Sequence, residues 1–298
     1  MPSDAAPATV GFIGLGNMGV PMVTNLVAAG HPVVASDLSP DARERAAAAG
    51  ATAVVTAREV AARSGVVILM LPDSNVVQAV VGDIAGSLAP GSLVIDMSSS
   101  EPLRTRALAA QLAETGIRLV DAPVSGGVSG AVKGSLTIMV GGEPADVDEA
   151  AAVLAPMGRV VRAGGIGAGH AIKALNNLLS ATHLWITAEA MEVGERFGLD
   201  PATMLEVFNS SSGRSGSTEN KFPNFILPGT YDSGFGLRLM LKDMRIAVQL
   251  GEQVGMPSVL GSDAVGLWAK AAEGLDPAAD HTRIAEWVRT AEGGAIEQ

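Results

Sequence analysis

Apolar residues in the first half of the chain fall into short continuous runs, each followed by small or polar residues. Such runs are typical of strands that are buried on both faces of a parallel sheet. Stretches with helical spacing separate them, so the pattern predicts alternating strands and helices. The predicted strands cover 9–13, 32–36, 66–70, 93–97, 118–122, 136–140 and 160–161.

The strand-like runs stop after residue 167, and the apolar spacing becomes helical. It predicts one long helix at about 170–197, about 40 Å at 1.5 Å per residue. Asp200 and Pro201 suit the N-cap and first position of a second helix. Further helices are predicted at 237–254, 259–272 and 282–291, with a polar Ser/Gly-rich segment at 210–220 and a loose tail at 1–8.

These patterns predict two domains. Residues 1–166 form a doubly wound α/β domain of the Rossmann type, and the long helix joins it to an all-α C-terminal domain at 167–298. In doubly wound sheets, ligands bind at the carboxyl ends of the strands. The turns LPDSN, SSS and PVSGG all follow predicted strands, so we expect them to lie beside a bound nucleotide.

The first predicted strand runs into a G-x-G-x-x-G motif and a helix. Gly14 permits the tight turn, Gly16 lets a pyrophosphate approach the backbone, and Gly19 allows close packing of helix on strand. Asp37 follows the second strand, eighteen residues past Gly19, where an acid can accept hydrogen bonds from the ribose hydroxyls. Because the elements fall in this order, the motif predicts dinucleotide binding, and Asp37 favours NAD over NADP. The predicted cofactor-binding turn comprises Gly14, Leu15, Gly16, Asn17, Met18 and Gly19.

A second glycine-rich turn, at 164–169, precedes the long helix. His170, Lys173 and Asn177 lie three and four residues apart and therefore share a helix face. Lys173 is the candidate for proton transfer, because an alcohol that loses hydride must also lose its hydroxyl proton. Asn177 can hold a hydroxyl or carboxylate without adding charge. The alternative is that Lys173 and the asparagine are ordinary surface residues.

Two further features are candidates for substrate or cofactor contacts. Ser125, Gly126 and Gly127 offer backbone N–H groups and a hydroxyl, which suits a carboxylate, although a plain strand-to-helix turn is the alternative. Lys242 precedes an aspartate on an otherwise apolar helix, and its alternative is a surface lysine.

Composition excludes several classes of function. The 298 residues include 20 Lys and Arg against 31 Asp and Glu, a formal charge of −11, which argues against nucleic acid or an acidic membrane as partner. There is no cysteine, and the four histidines form no metal-ligand pattern, so no metal site is predicted. We see no signal peptide and no stretch of about 20 apolar residues that could span a bilayer. The expected location is the cytoplasm.

Four segments resemble the β-hydroxyacid dehydrogenase family, which includes 3-hydroxyisobutyrate dehydrogenase, tartronate semialdehyde reductase and, more distantly, 6-phosphogluconate dehydrogenase. They are spread over nearly the whole chain in the family's order. They read GFIGLGNMG at 11–19, DAPVSGG at 121–127, GAGHAIKALNN at 167–177 and LMLKD at 239–243.

The resemblance implies a role for each matching position. Lys173 matches the family's catalytic lysine. Substrate binding is implied for Ser125, Gly126, Gly127 and Asn177, and cofactor contacts are implied for Leu71, Pro72, Ser99 and Lys242. The resemblance also implies a homodimer or homotetramer with the helical domains in contact.

The expected reaction is NAD-dependent oxidation of a short 3-hydroxy carboxylate, with 3-hydroxyisobutyrate as the best single substrate. The main alternative is reduction of tartronate semialdehyde or a related semialdehyde. Imine reductases share the architecture but generally lack the lysine, and a non-catalytic NAD-binding module is disfavoured by intact Lys173, Ser125 and Asn177. The segment after Ser211–Arg214 differs from the best-known members, and Arg214 or Lys221 could reach the far end of a substrate. Surface roles are expected for both.

Overall fold

The computed structural model describes residues 9–290. The predicted tail at 1–8 and the last residue of the predicted C-terminal helix, Ala291, lie outside the described residues. The described chain forms two compact units that meet in sequence between Lys173 and Ala174. The predicted domain boundary between 166 and 167 stays a prediction.

The first unit is built on one twisted sheet of nine strands. Its strand order is β3-β2-β1-β4-β5-β6-β8-β7, with β9 paired to β8. The first six strands are parallel, and β8 is antiparallel to β6 and β7. The strands are β1 (Val10–Ile13), β2 (Val33–Ser36), β3 (Thr52–Ala53), β4 (Val66–Leu69), β5 (Leu93–Asp96), β6 (Arg118–Asp121), β7 (Val124–Ser125), β8 (Leu136–Gly141) and β9 (Gly158–Gly164).

Helices cover both faces of this sheet. Because side chains alternate along a strand, Phe12 and Ile68 pack into one apolar cluster, whereas Val67 and Leu69 pack into another on the opposite face. The helices are α1 (Gly19–Ala28), α2 (Pro40–Ala48), α3 (Ala57–Ala62), α4 (Ser74–Ile84), α5 (Pro102–Ala113), α6 (Gly127–Lys133) and α7 (Pro144–Leu154), with short 3₁₀ turns at Ala85–Ser87 and Ala155–Met157. The predicted Rossmann-type fold is confirmed.

The second unit is helical and packs around Trp268, Phe222 and Met244, all of which are almost fully buried. Asp200 caps α9 by accepting a hydrogen bond from the Thr203 amide at 2.8 Å, as its position before Pro201 predicts. The helices of the C-terminal half are α8 (Ala168–Phe197), which begins in the first unit, α9 (Pro201–Ser210), α10 (Leu237–Gln253), α11 (Val259–Gly274) and α12 (Ile284–Arg289), with a 3₁₀ turn at His281–Arg283.

Local structure differs from the sequence pattern in three places. The polar segment predicted at 210–220 gives way to a π-helical segment, Ser217–Ile226, because Phe222 and Ile226 pack into the core of the second unit. The last strand, predicted as two residues, extends over Gly158–Gly164 because it pairs along the whole of β8. The two-residue strands β3 and β7 were too short to give a pattern.

Candidate active site

The carboxyl ends of the central strands lie side by side in one row. Ile13 is the register partner of both Ser36 and Leu69, Leu69 pairs with Asp96, and Asp96 pairs with Asp121. The turns that leave these positions therefore share one edge of the sheet. The candidate cofactor residues of the first unit lie in these turns.

The glycines of the first turn differ in what surrounds them. A Cβ on Gly14, at φ +102°, would lie 2.2 Å from the Met70 carbonyl oxygen, and one on Gly19 would lie 2.0 Å from the Gly14 carbonyl oxygen. Gly16 is exposed, and a Cβ there would meet nothing within 4 Å. Two glycines are thus required by packing, whereas the third leaves room for a ligand, which fits a bound pyrophosphate.

The other three residues of the glycine turn, Leu15, Asn17 and Met18, differ in exposure. Leu15 is fully buried, Asn17 is exposed and Met18 is half-buried. Met18 is the N-cap of α1 and gives no side-chain cap to the first turn of the helix. This arrangement fits a helix N-terminus that binds an anionic group.

Asp37 follows β2 at the same edge. Its Oδ2 accepts a hydrogen bond from the Leu15 amide at 2.6 Å, and its Oδ1 accepts one from the Ser39 amide at 2.8 Å. The carboxylate is therefore tied to the glycine turn. Arg43 donates to the backbone oxygens of Asp37 and Leu38, so its guanidinium is held on the backbone beside the turn.

The turns after β4 and β5 are joined by serine hydroxyls. Ser98 Oγ accepts from the Leu71 amide at 3.0 Å, and the Ser98 amide donates to Asp96 Oδ1 at 3.0 Å. Ser99 is half-buried and Pro72 is exposed at the same edge. Leu71, Pro72 and Ser99 are thus brought to the side of the sheet that carries the glycine turn.

The candidate carboxylate cradle lies at a junction of strand and helix. Ser125 ends β7, opposite Thr137 of β8, and Gly126 is the N-cap of α6. Gly126 and Gly127 have φ of +130° and +62°, conformations that favour glycine. The geometry is that of a strand-to-helix turn, and a role in substrate binding stays a prediction.

A buried cluster of polar groups holds the start of α8. Asp121 accepts hydrogen bonds from the Gly167 amide at 2.6 Å and the His170 amide at 2.8 Å. His170 Nδ1 lies 2.9 Å from Thr105 Oγ1, and its Nε2 lies 3.7 Å from Asp96 Oδ2. His170 is 1% exposed, so it faces this cluster rather than solvent. Burial raises the pKa of Asp121, and the nearby His170 and the two amides partly offset that rise.

Lys173 follows one turn later on α8 and is only 7% exposed. The exposed apolar residues Ile172 and Leu175 flank it in sequence. A long charged side chain is rarely buried while its apolar neighbours are exposed. The alternative of a solvated surface lysine is therefore wrong.

In the second unit, Asn177 is held by a buried carboxylate. Its Nδ2 donates to Asp243 Oδ2 at 2.6 Å, and both residues are almost fully buried. Lys242 Nζ lies 3.2 Å from Asp243 Oδ1, with the Lys242 side chain 27% exposed. The buried aspartate thus brings Asn177 and Lys242 together and fixes which atom of the asparagine amide faces it.

Arg214 and Lys221, the two basic residues that could reach the far end of a substrate, have different surroundings. Arg214 is exposed and pairs with Glu219 at 2.6 Å, as its expected surface role predicts. Lys221 is half-buried, and its Nζ lies 2.8 Å from Ser180 Oγ, so its expected surface role stays a prediction. The π-helical segment, which the sequence pattern did not predict, carries Lys221 inward.

Known proteins resemble the chain along its length. A model of the NAD binding domain of 6-phosphogluconate dehydrogenase matches residues 9–167, and one for the NAD-binding domain of NADP-dependent 3-hydroxyisobutyrate dehydrogenase matches 167–288. A 2-(hydroxymethyl)glutarate dehydrogenase of Eubacterium barkeri is 40% identical over 83% of this chain and 84% of its own. The mitochondrial 3-hydroxyisobutyrate dehydrogenase of Bos taurus is 41% identical over 88% of this chain and 81% of its own.

A solved structure agrees with these matches. The 3-hydroxyisobutyrate dehydrogenase of Mycobacterium tuberculosis, solved with L-serine, superposes with a TM-score of 0.90 at 34% identity, covering 95% of this chain and 100% of that one. The chain belongs to the β-hydroxyacid dehydrogenase family. It is an NAD-dependent 3-hydroxyacid dehydrogenase whose substrate is a small hydroxyacid.

Membership of the β-hydroxyacid dehydrogenases confirms the resemblance, the reaction class and the cofactor. Over residues 9–290, no helix has the length and apolar character to cross a membrane. Within the same range, no group of three or more His, Cys, Asp and Glu side chains is arranged to hold a metal ion.

Asp121 and Asp243 lie within two of the family motifs, but the sequence alone assigned neither residue a role. Each had a signal: Asp121 ends an apolar strand, and Asp243 interrupts an apolar helix face. A carboxylate in such a place must find donors or lose its charge. The donors come from residues 46 and 66 positions away, so the sequence did not identify them.

Proposed function

We propose that this dehydrogenase oxidises a short 3-hydroxy carboxylate to the corresponding semialdehyde, with 3-hydroxyisobutyrate as the best single substrate. Buried Lys173 is the observation that carries the proposal, because it supplies an amine on the helix that Asp121 anchors. NAD, when bound, would supply the acceptor for the hydride that leaves the carbon bearing the hydroxyl. Lys173, as a neutral amine, accepts the hydroxyl proton and returns it when the reaction runs backwards.

Charge-neutral donors would hold the rest of the substrate. The backbone N–H groups and hydroxyl of Ser125, Gly126 and Gly127 suit its carboxylate. Asn177 suits its hydroxyl, because the Asp243 carboxylate holds the amide in one orientation. These assignments follow the family motifs at the same positions, and reduction of tartronate semialdehyde remains the alternative reaction.

Cofactor contacts are part of the same proposal. The exposed Gly16, with open space at its Cβ position, suits the pyrophosphate, and Asp37 suits the adenosine ribose. A 2′-phosphate would be repelled by the Asp37 carboxylate, which favours NAD over NADP. Leu71, Pro72 and Ser99 would complete the site at the sheet edge, and Lys242 would contribute from α10.

A homodimer or homotetramer is also proposed. Leu179, Ile186 and Val193 recur at seven-residue intervals on α8 and are 59%, 56% and 69% exposed. A regular exposed apolar stripe of this kind is typical of a helix that packs against another chain.

The proposed location is the cytoplasm. Because the mammalian relatives are named as mitochondrial, a mitochondrial location is the alternative.

The test compares alcohols that differ in where the hydroxyl lies. Purified protein is given 3-hydroxyisobutyrate, 3-hydroxypropionate and lactate, each with NAD and with NADP, and reduced cofactor is followed. We expect kcat/KM for 3-hydroxypropionate to exceed that for lactate by about a hundredfold, because a displaced hydroxyl misses the base. Equal oxidation of lactate would contradict the proposal. No oxidation at all, with NAD still bound, would favour the non-catalytic module.

A further inference from the structure

His170 is almost fully buried, yet one of its ring nitrogens has no hydrogen-bond partner within residues 9–290. Its Nδ1 lies 2.9 Å from Thr105 Oγ1. The nitrogen without a partner is Nε2, which lies 3.7 Å from Asp96 Oδ2. A lone pair on Nε2 would be repelled by the carboxylate, so we assign a proton to this nitrogen. The fold thus holds a buried donor and a buried acceptor about 0.8 Å farther apart than in a usual N–H···O bond.

Asp96 joins this contact to the turn after β5. Its Oδ1 accepts a hydrogen bond from the Ser98 amide at 3.0 Å, and its Oδ2 accepts one from the Ser100 hydroxyl at 2.8 Å. Ser99, a proposed cofactor contact, lies between these two serines. The Asp96 carboxylate is therefore tied to the turn that we assign to the cofactor, and any shift of that turn reaches the carboxylate.

His170 joins the contact to the first turn of α8. Its amide donates to Asp121 Oδ2 at 2.8 Å, and a Cβ on neighbouring Gly169 would lie 2.1 Å from the Met139 carbonyl oxygen. This close packing fixes where the turn lies on the sheet and leaves its rotation about the helix axis to side-chain contacts. Lys173 follows three residues later on the same face. At about 6 Å from the axis, a rotation of about 10° moves a side chain by about 1 Å, the size of the gap described above.

We propose that His170 is a positioning residue for the proton transfer. With the cofactor bound at the turn after β5, His170 Nε2 donates a hydrogen bond to Asp96, and this bond sets the rotation of α8 that places the Lys173 amine. The inference rests on the proposed function, because it concerns how Lys173 is held. A misplacement of about 1 Å costs about a hundredfold in rate, so such a contact has a measurable effect.

Two substitutions of His170 separate this role from packing alone. Glutamine places its amide nitrogen near the position of Nε2, so His170→Gln keeps the donor toward Asp96. Asparagine is one methylene shorter and ends near the position of Nδ1, so His170→Asn keeps only the group toward Thr105. Both variants lose the ring. His183 is an exposed histidine further along α8, so His183→Asn controls for the same chemical change.

The quantities measured are kcat with 3-hydroxyisobutyrate and the Kd for NAD. We expect His170→Asn to lower kcat by about tenfold to a hundredfold while NAD affinity stays close to wild type, because the amine is misplaced and the glycine turn is not. His170→Gln should keep most of the wild-type kcat, and His183→Asn should behave as wild type. Equal kcat values for the two His170 variants would overturn the role, because both lose the packing of the ring alike.

A spectroscopic measurement on the wild-type chain separates this inference from the proposed function. The ring nitrogens of the four histidines are labelled isotopically for NMR, and the His170 signals are identified by their loss in either His170 variant. At NAD saturation we expect the Nε2 signal of His170 to shift as the hydrogen bond to Asp96 forms. Asp96→Asn offers an amide in place of the charged acceptor, so the shift should be much smaller there.

The NMR result does not depend on turnover. A shift that Asp96→Asn removes would support the positioning contact even if no hydroxyacid is oxidised. An Nε2 signal that NAD leaves unchanged in wild type, or that shifts equally in Asp96→Asn, would reject the contact and leave the reaction class untouched.

Discussion

Asp121 in the first unit and Asp280 in the second are both carboxylates that organise a chain segment, yet their pKa values move in opposite directions. Burial raises the pKa of Asp121, which accepts two backbone hydrogen bonds. Burial on its own would also raise the pKa of Asp280. However, hydrogen bonds from His281 and Thr282, with a smaller contribution from the charge of His281, outweigh it and lower the pKa of Asp280.

The difference shows that the number of donors, rather than burial alone, decides whether a carboxylate stabilises the fold as an anion. Asp280 accepts hydrogen bonds from three amides and two hydroxyls. Asp121 is 0% exposed and has fewer donors, so its charge is less well compensated. Asp121 anchors the helix that carries Lys173, whereas Asp280 ties the segment at 233–235 to the start of the C-terminal helices.

Asp280→Asn is expected to give the larger effect. At neutral pH the free energy of unfolding should fall by about 2–3 kcal/mol, because the amide loses charge-assisted hydrogen bonds. The pKa of Asp280 is lowered in the folded state, so its contribution is present above the unfolded value of 3.8 and is lost as pH falls below that value. Urea unfolding of both proteins at pH 7 and about pH 3 measures the difference. A destabilisation that persists undiminished in acid would refute this account of Asp280.

Asp121→Asn should have a smaller effect with the opposite pH dependence. The pKa of Asp121 is raised in the folded state, so its contribution is present below 3.8 and is lost as pH rises through the folded value. The asparagine does not ionise, so the variant should lose no stability over that range. We expect a change within about 1 kcal/mol at pH 7, less unfavourable than at about pH 3. The same urea series measures it, and a destabilisation that grows with pH would show that the Asp121 anion stabilises the fold.

The two regions also differ in how much of them the sequence predicts. At the sheet edge each polar residue follows its own strand, and parallel pairing aligns the strand ends. Strand pattern, glycine spacing and the position of Asp37 were therefore enough to predict the fold and the cofactor. Around Lys221, the contacts join residues 41 positions apart through a π-helical segment. No periodic pattern reports such contacts, so the hydrogen bond between Lys221 and Ser180 was not predicted.

Family motifs and structure complement each other at Lys173 and Asn177. The motif identified both residues, and helix spacing placed them on one face. In the structure this polar face is buried, whereas Ile172, Leu175 and Leu179 are exposed. Helices usually bury their apolar face and expose their polar face, so the sequence pattern did not predict this arrangement. Asp121 and Asp243 explain this reversal in part, because their buried carboxylates accept hydrogen bonds from the polar side of α8.

Turnover of Lys173→Ala tests the central claim most directly. The variant and wild type are compared for NAD affinity by titration and for kcat with 3-hydroxyisobutyrate at saturating NAD. We predict unchanged NAD affinity and a kcat lowered by about 10²–10⁴-fold, the usual contribution of a general base. A variant that binds NAD and turns over at the wild-type rate would contradict the role of Lys173 in proton transfer.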